Sequence, residues 1–462
     1  MKIVVCIRQG RNGEINPFDA CSYEAALSIP NAEITLLSMG PASVEEFLLG
    51  LTRLGAKNAI LLCDKAFAGA DTLATAYALS CAVKKINPDY VFCGRQTLEG
   101  DTAQTGPMLS VKLGFSLITN VMAVKVCDEE KIICDTRTEG GFTALKPALI
   151  TVERINTLRL PRLRSKLGNV EVWNAETIEA DVNRCGLAGS PTRVIETHEN
   201  EAGRRKCEFL TPDKFQFAVE QGILKNSLRS QTNVTSDIKL KKVYTVGEAP
   251  LEFAETVSDD ITVLDFDTAE SLAEKIKEAA PNAVLWGSDP LSKRLSAEVS
   301  AMLDLGLCAD CTSLETDGEQ LFMIRPALSG SIIAKIKSTV FPAMATVRTC
   351  EEGASDIFVA AGFGVKDNMP LVNSIADRLG AEIAASRKMV DNGILPYEKQ
   401  VGLTGKVVSP PVYITVGISG AVHHIVGMSR AGTVIAVNPE KDAPIFDYAD
   451  YGFVCKIEDL KI

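Results

Sequence analysis

Histidine is almost absent from this chain. Its 462 residues hold three, His198, His423 and His424, together with only two tryptophans. So few imidazoles leave little for a histidine-built metal centre. Positive charge is also short: 48 Lys and Arg stand against 59 Asp and Glu, a net charge of -11. That balance argues against a nucleic-acid-binding surface and suits a chain kept soluble by self-repulsion. No stretch reaches the ~18 uninterrupted apolar residues of a membrane span. The opening "MKIVVCIRQG" has too short an apolar run for a secretory signal. The 13 cysteines are scattered, several inside apolar strands, as with Cys6, Cys63 and Cys93. This reads as a reduced, cytoplasmic protein. The single Cys-x-x-Cys, Cys308 to Cys311, has no second pair, so no metal site is expected.

What is present is α/β patterning. "KIVVCI", "EITLLSM", "NAILLCD" and "DYVFCG" read as buried strands, separated by helical stretches such as "DTLATAYALSCAVKKI". Continuous apolar strands alternating with helices predict a parallel sheet covered on both faces. From about 183 to 242 the chain turns polar and irregular, which reads as a linker or wrapping arm rather than a core. The first pattern then returns. Gly94 aligns with Gly287, Leu113-Gly114 with Leu305-Gly306, and "KPALITVER" with "FPAMATVRT". One α/β module present twice is the simplest account, the second copy lacking its first strand and helix. The expected parts are 1–185, an arm over 186–240, a second module over 241–350 and a third α/β unit over 351–462.

Two stretches carry candidate chemistry. "VYITVGISGAVHHIVGM" reads as a strand, a glycine turn and a helix start, so Gly417, Ile418, Ser419, Gly420 and Ala421 suit an anion such as a pyrophosphate. Other predicted strand ends supply Ser386 and Arg387, the polar loop Gln400, Val401, Gly402, Thr404 and Gly405, then Asn438 and Asp450. Residues past strand ends line the ligand crevice of open α/β sheets. In the first module, "GRQTLEGDTAQTGP" places Asp101 as a helix N-cap. Asn16, Gln96, Asp101, Thr102, Gln104 and Thr105 would line a second nucleotide site there. A capped helix with no ligand is the alternative.

These residues also carry a resemblance. The segment from Gln400 to Val454 is similar to the flavin-binding domain of the electron transfer flavoprotein α subunit. "NPFDACSYEAAL", "GRQTLEGDTAQTGP" and "TVERINTLRLPRLRSKLG" resemble the β subunit. "CADCTSLE" and "FPAMATVR" resemble the α subunit's first domain. The resemblance implies β and α subunits fused in one chain, β-like part first and α-like part shortened. It implies two related nucleotide-binding-type modules about a pseudo-twofold axis, plus a Rossmann-like FAD domain. It places His424 at the N1/O2 edge of the flavin ring, with His423 where glutamine is common. It stacks Arg387 near the ring, sets Thr404 near N5, and gives Ser386, Ser419, Asn438 and Asp450 the pyrophosphate and adenosine end. Phe363 and Leu403 stand where the family has arginine and glutamine.

In the first module the resemblance implies a second FAD, as in electron-bifurcating members, or AMP, as in simple carriers; Thr105 restores the AMP-type "QTG". Leu163 matches a partner-docking leucine, though the lysine run that follows it in the family is missing. The function implied is electron carriage on FAD between dehydrogenases of the acyl-CoA type or other flavin dehydrogenases, with NADH as donor if the protein bifurcates. Two other classes compete: a non-redox nucleotide-binding scaffold or sensor, and a pyridine-nucleotide dehydrogenase with its own substrate.

Overall fold

The computed structural model describes residues 1–10, 12–137, 140–154, 156–199, 204–226, 238–328, 332–348, 355–402 and 405–461. The α/β class holds throughout. The chain divides into two compact units. The first comprises 1–197, 235–328 and 334–347; the second comprises 198–234, 329–333 and 348–462. Among the described residues no helix is long and apolar enough to cross a membrane, and no cluster of His, Cys, Asp and Glu could hold a metal ion.

The first unit is built on a nine-stranded sheet. Its central parallel order is Ser116–Cys127, Ala148–Val152, Tyr90–Gly94, Lys2–Cys6, Glu33–Met39 and Asn58–Leu62. Strand Ala148–Val152 is buried at every position, as a sheet covered on both faces requires. Helix Thr72–Ile86 covers one face. It starts where the Asp71 carboxylate accepts from the N–H groups of Leu73 and Ala74, and stops where Asn87 turns left-handed at φ 53°.

A second, five-stranded parallel sheet has the order Ile261–Leu264, Val243–Val246, Ala283–Trp286, Ala343–Val347 and Leu307–Cys311. This is the first sheet's order without a counterpart of Asn58–Leu62. The second copy therefore keeps its first strand, Val243–Val246, and first helix, Leu251–Val257. The missing piece is the third strand, which corrects the sequence reading: polar Lys241 and Lys242 masked the short strand that follows them.

The repeat extends to fine detail. Asn120 and Asp310 are both left-handed, at φ 56° and 55°. Each sits in a bulge and donates its N–H to a threonine on the neighbouring strand, Asn120 to Thr151 Oγ1 at 3.1 Å and Asp310 to Thr346 Oγ1 at 2.8 Å. The two modules pack helix against helix, Thr105–Leu113 on Pro290–Leu303. Met108, Leu109, Leu295 and Val299 lie in one buried apolar cluster.

The second unit holds a six-stranded parallel sheet. Its order is Glu208–Phe209, Tyr451–Phe453, Thr433–Val437, Val412–Val416, Ile357–Ala361 and Glu382–Ala385. Two elements of it come from the segment read as an irregular arm. Strand Glu208–Phe209 forms the sheet edge. Helix Phe215–Asn226 buries Phe215, Ala218 and Val219 in the core, with Phe215 edge-on to Phe453 at 5.5 Å. The helix is short and polar stretches flank it on both sides, so it does not stand out from the arm in the sequence.

Candidate functional site

Each large sheet has one place where the strand order reverses, and ligand crevices form outside such points. In the second unit it lies between Ile357–Ala361 and Val412–Val416. The turns leaving these strands touch there. A Cβ on Gly362 would stand 2.0 Å from the Gly417 carbonyl oxygen, so only glycine fits. Gly417 and Gly420 take φ 64° and 96°, and a Cβ on Gly420 would meet the Ile445 nitrogen at 2.2 Å. Asn438 holds this turn from the next strand end. Its Nδ2 donates to the Ile418 carbonyl at 2.9 Å and its Oδ1 accepts from Glu440 N–H at 2.9 Å. Asn438 thus shapes the loop with the side chain expected to contact the nucleotide.

The neighbouring strand end supplies Ser386 and Arg387. Ser386 Oγ is buried and makes no hydrogen bond, an orphan that a ligand group would satisfy. Arg387 Nε meets Asp391 one helical turn on, at 3.3 Å. The loop from Gln400 packs onto helix Val422–Met428. Val401 N–H donates to Ala385 O at 3.0 Å and Gly405 N–H to Gly402 O at 3.1 Å. A Cβ on Gly402 would lie 2.6 Å from the His423 carbonyl oxygen. Leu403 and Thr404 lie outside the described residues, so the expected placement of the Thr404 hydroxyl cannot be matched to a position. Ser419 and Ala421 are exposed, His423 half-buried and His424 buried. His424 Nε2 lies 3.1 Å from the Tyr413 hydroxyl. Burial pushes its pKa down to about 4, so the ring is neutral near pH 7. It serves as a hydrogen-bonding group, not a fixed positive charge.

Asp450 sits apart from the glycine turn. Its carboxylate accepts from Val434 N–H at 2.9 Å, pairs with Arg205, and lies 3.4 Å from Lys225. Burial opposes ionisation, yet the Val434 N–H and the Arg205 guanidinium hold its pKa below the usual carboxylate range. Arg205 also donates to the Gly432 carbonyl at 2.9 Å. Asp450 therefore ties residues 204–226 to the sheet. Sequence reasoning missed Arg205 because it stands inside the charged run "AGRRK"; the apolar residues of "FQFAV" after it were the available signal.

In the first unit the order reverses between Lys2–Cys6 and Tyr90–Gly94. Asn16, Gln96 and Asp101 form one chain of hydrogen bonds. Asn16 Nδ2 donates to Gln96 O at 2.9 Å, and Gln96 Nε2 donates to Asp101 Oδ1. Asp101 is not the N-cap expected. It stands in the loop at φ 50°, with Ala103 at 56°, and the helix opens at Thr105 after Gln104, whose side chain makes no cap bond. The left-handed residues unwind the turn that a periodic pattern assigns to helix. Gln104 Oε1 accepts from Thr72 at 2.8 Å, while its Nε2 and Asn16 Oδ1 are buried without partners. Thr102 and Thr105 are half-buried beside them. Asp19 lies under the same strand ends. Burial raises its pKa to about 7 against the opposing hydrogen bond from Arg8 N–H at 2.8 Å. Leu163 is fully exposed, as are most of Leu160 and Leu167.

Comparison with known proteins covers most of the chain. The electron transfer flavoprotein domain matches residues 3–178 and 258–356, and the electron transfer flavoprotein FAD-binding domain matches 353–429. The chain belongs to the electron transfer flavoprotein family. It is 42% identical over 207 residues to protein FixA of Bradyrhizobium diazoefficiens, covering 41% of this chain and 72% of that protein. It is 39% identical over 203 residues to the electron transfer flavoprotein subunit beta of Thermoanaerobacterium thermosaccharolyticum, covering 41% and 78%. The subunit alpha of the same organism is 35% identical over 232 residues, covering 40% and 70%. β-like and α-like parts thus share one electron transfer flavoprotein chain.

Proposed function

We propose that this chain carries electrons on an FAD held in its second unit, receiving them from one dehydrogenase and delivering them to another in the cytoplasm. The observation that carries the reading is the Gly362–Gly417 contact beside the orphaned Ser386 hydroxyl, in the segment that matches the FAD-binding domain. Bound FAD would supply reversible one- and two-electron redox chemistry. Gly417 to Ala421 would give the pyrophosphate a close backbone approach, and Ser386 would donate to it. His424, neutral and hydrogen-bonded to Tyr413, would present a polar edge to the ring. Arg387 would favour negative charge on it. Asn438 would keep the glycine turn in place, and Asp450 would keep the sheet edge closed. The exposed Leu163 would anchor a partner dehydrogenase of the acyl-CoA type.

The first unit would hold a second adenine nucleotide against Asn16, Gln96, Asp101 and Gln104. We favour FAD there, which would let the protein take hydride from NADH and bifurcate electrons. The Gln104-Thr105-Gly106 run favours AMP instead, which would make the protein a simple carrier. Flavin and AMP counts on acid-extracted protein test both readings. A yellow protein with two FAD per chain that NADH reduces supports bifurcation. One FAD and one AMP supports the simple carrier. Colourless protein that takes up no added FAD ends the redox reading.

A further inference from the structure

The loop of the first crevice is also held from outside its own module. Strand Leu321–Ala327 of the second module carries Arg325, which is only 6% exposed. Its Nη2 donates to the Gly100 carbonyl at 2.8 Å, and its Nε to the Pro326 carbonyl at 3.1 Å. Three residues on, Leu328 N–H donates to the Glu99 carbonyl at 3.2 Å. Arg325 forms no ion pair with any carboxylate among the described residues. Asp310, on a strand packed beside it, is committed to Lys293 Nζ at 2.9 Å. A buried guanidinium without a counter-charge is costly, and native proteins pair such groups. The Gly100 carbonyl belongs to the loop that runs into Asp101 and the helix at Thr105, and the Pro326 carbonyl to Arg325's own strand. Gln104 Nε2, 2% exposed at the residue level and without a partner, faces the same crevice. Two buried donors, one of them charged, thus border one loop, and neither has an anionic partner among the described residues.

We propose that Arg325 is the second module's contribution to the first module's nucleotide site, supplying positive charge to the nucleotide phosphate while holding Gly100. This rests on the reading that the first crevice takes an adenine nucleotide. AMP and the pyrophosphate of FAD share the chemistry it would recognise. It also explains why the second module keeps strand Leu321–Ala327 against this loop although its own strand-to-helix turn is short.

The test uses the full chain and its Arg325→Gln and Arg325→Lys variants. Nucleotide-stripped protein is titrated with AMP and with adenosine, while FAD in the second unit is monitored by absorbance. A charge-assisted contact predicts that Arg325→Gln weakens AMP about tenfold or more and leaves adenosine nearly unchanged. Arg325→Lys should keep part of the preference for AMP. Equal weakening of both ligands would show that Arg325 only positions Gly100, and would overturn the phosphate contact. If Arg325→Gln also loses the second unit's FAD, Arg325→Lys decides: an AMP-to-adenosine ratio equal to that of the unchanged chain contradicts the proposal. Failure of the unchanged chain to bind either ligand would overturn the nucleotide reading itself, and the two failures are thereby distinct.

Discussion

In the first repeat, strand Tyr90–Gly94 gives way to an open loop over 95–104 before helix Thr105–Leu113. In the second repeat, strand Ala283–Trp286 passes through 287–289 straight into helix Pro290–Leu303. The flanking landmarks agree: Phe115 N–H returns to Ser110 O at 3.0 Å, and Leu305 N–H to Ser300 O at 3.0 Å. The difference lies in the helix start. Asp289 caps the second helix by accepting from Ser292 N–H at 3.0 Å. Its counterpart turn is unwound by the left-handed Asp101 and Ala103. Unwinding frees backbone N–H groups and side chains that a capped helix would consume. One scaffold thus yields a candidate site or a sealed turn by local change alone, so fold and site must be argued separately.

The largest expected effect separates the second unit's crevice from the first. Gly362→Val would force the turn off Gly417, where a Cβ has only 2.0 Å. It should abolish FAD binding in the second unit, read as lost absorbance, while the first unit's nucleotide stays bound. Loss of both would mean that the two crevices are not independent.

Next come the opposed pH responses. His424, lowered to about 4 by burial, contributes stability present above about 6.5 and lost as pH falls through 4. Asp19, raised to about 7 by burial, contributes stability present below about 4 and lost as pH rises through 7. The effects are at most on the order of 3 kcal/mol for His424 and 4–5 kcal/mol for Asp19. Hydrogen exchange should therefore speed up in strand Val412–Val416 on acidification and in strand Lys2–Cys6 on alkalinisation. His424→Gln and Asp19→Asn should flatten the respective slopes. Parallel slopes in the two strands would contradict the assignment of these groups.

A matched pair of substitutions sharpens the contrast between the repeats. Asp101→Ala should cut retention of the first unit's nucleotide about tenfold, the size of one charge-assisted hydrogen bond. Asp289→Ala should leave nucleotide content unchanged and cost about 1 kcal/mol of stability, the loss of one N-cap, read in denaturant unfolding. Nucleotide released by Asp289→Ala would erase the distinction. The smallest expected effect is that of Arg387→Ala. It should lower the flavin potential by tens of millivolts, since 59 mV is a tenfold change for one electron. An unchanged potential with FAD bound would mean that Arg387, held by Asp391, does not face the ring.

Much of this was legible in the sequence because it is local. Glycine turns, buried strands and the repeat of Gly94 and Gly287 depend on near neighbours and on period. What escaped depends on partners far along the chain. Asp450 looked like a ligand residue until Arg205 was found against it. Helix Phe215–Asn226 reads as part of an arm in the sequence because polar runs flank it on both sides. Asp101 reads as an N-cap because aspartate favours both the N-cap and the left-handed region, and the sequence does not separate the two. Arg325 gives no signal in the sequence, since its interest lies in having no ion-pair partner among the described residues.

The central claim is that this one chain offers two nucleotide crevices, one in each unit, and that the second repeat offers none. Acid extraction of the purified full chain, with FAD, AMP and protein counted together, tests it most directly. The account predicts two adenine nucleotides per chain, at least one of them FAD. One FAD with no second nucleotide, or three nucleotides, would contradict it.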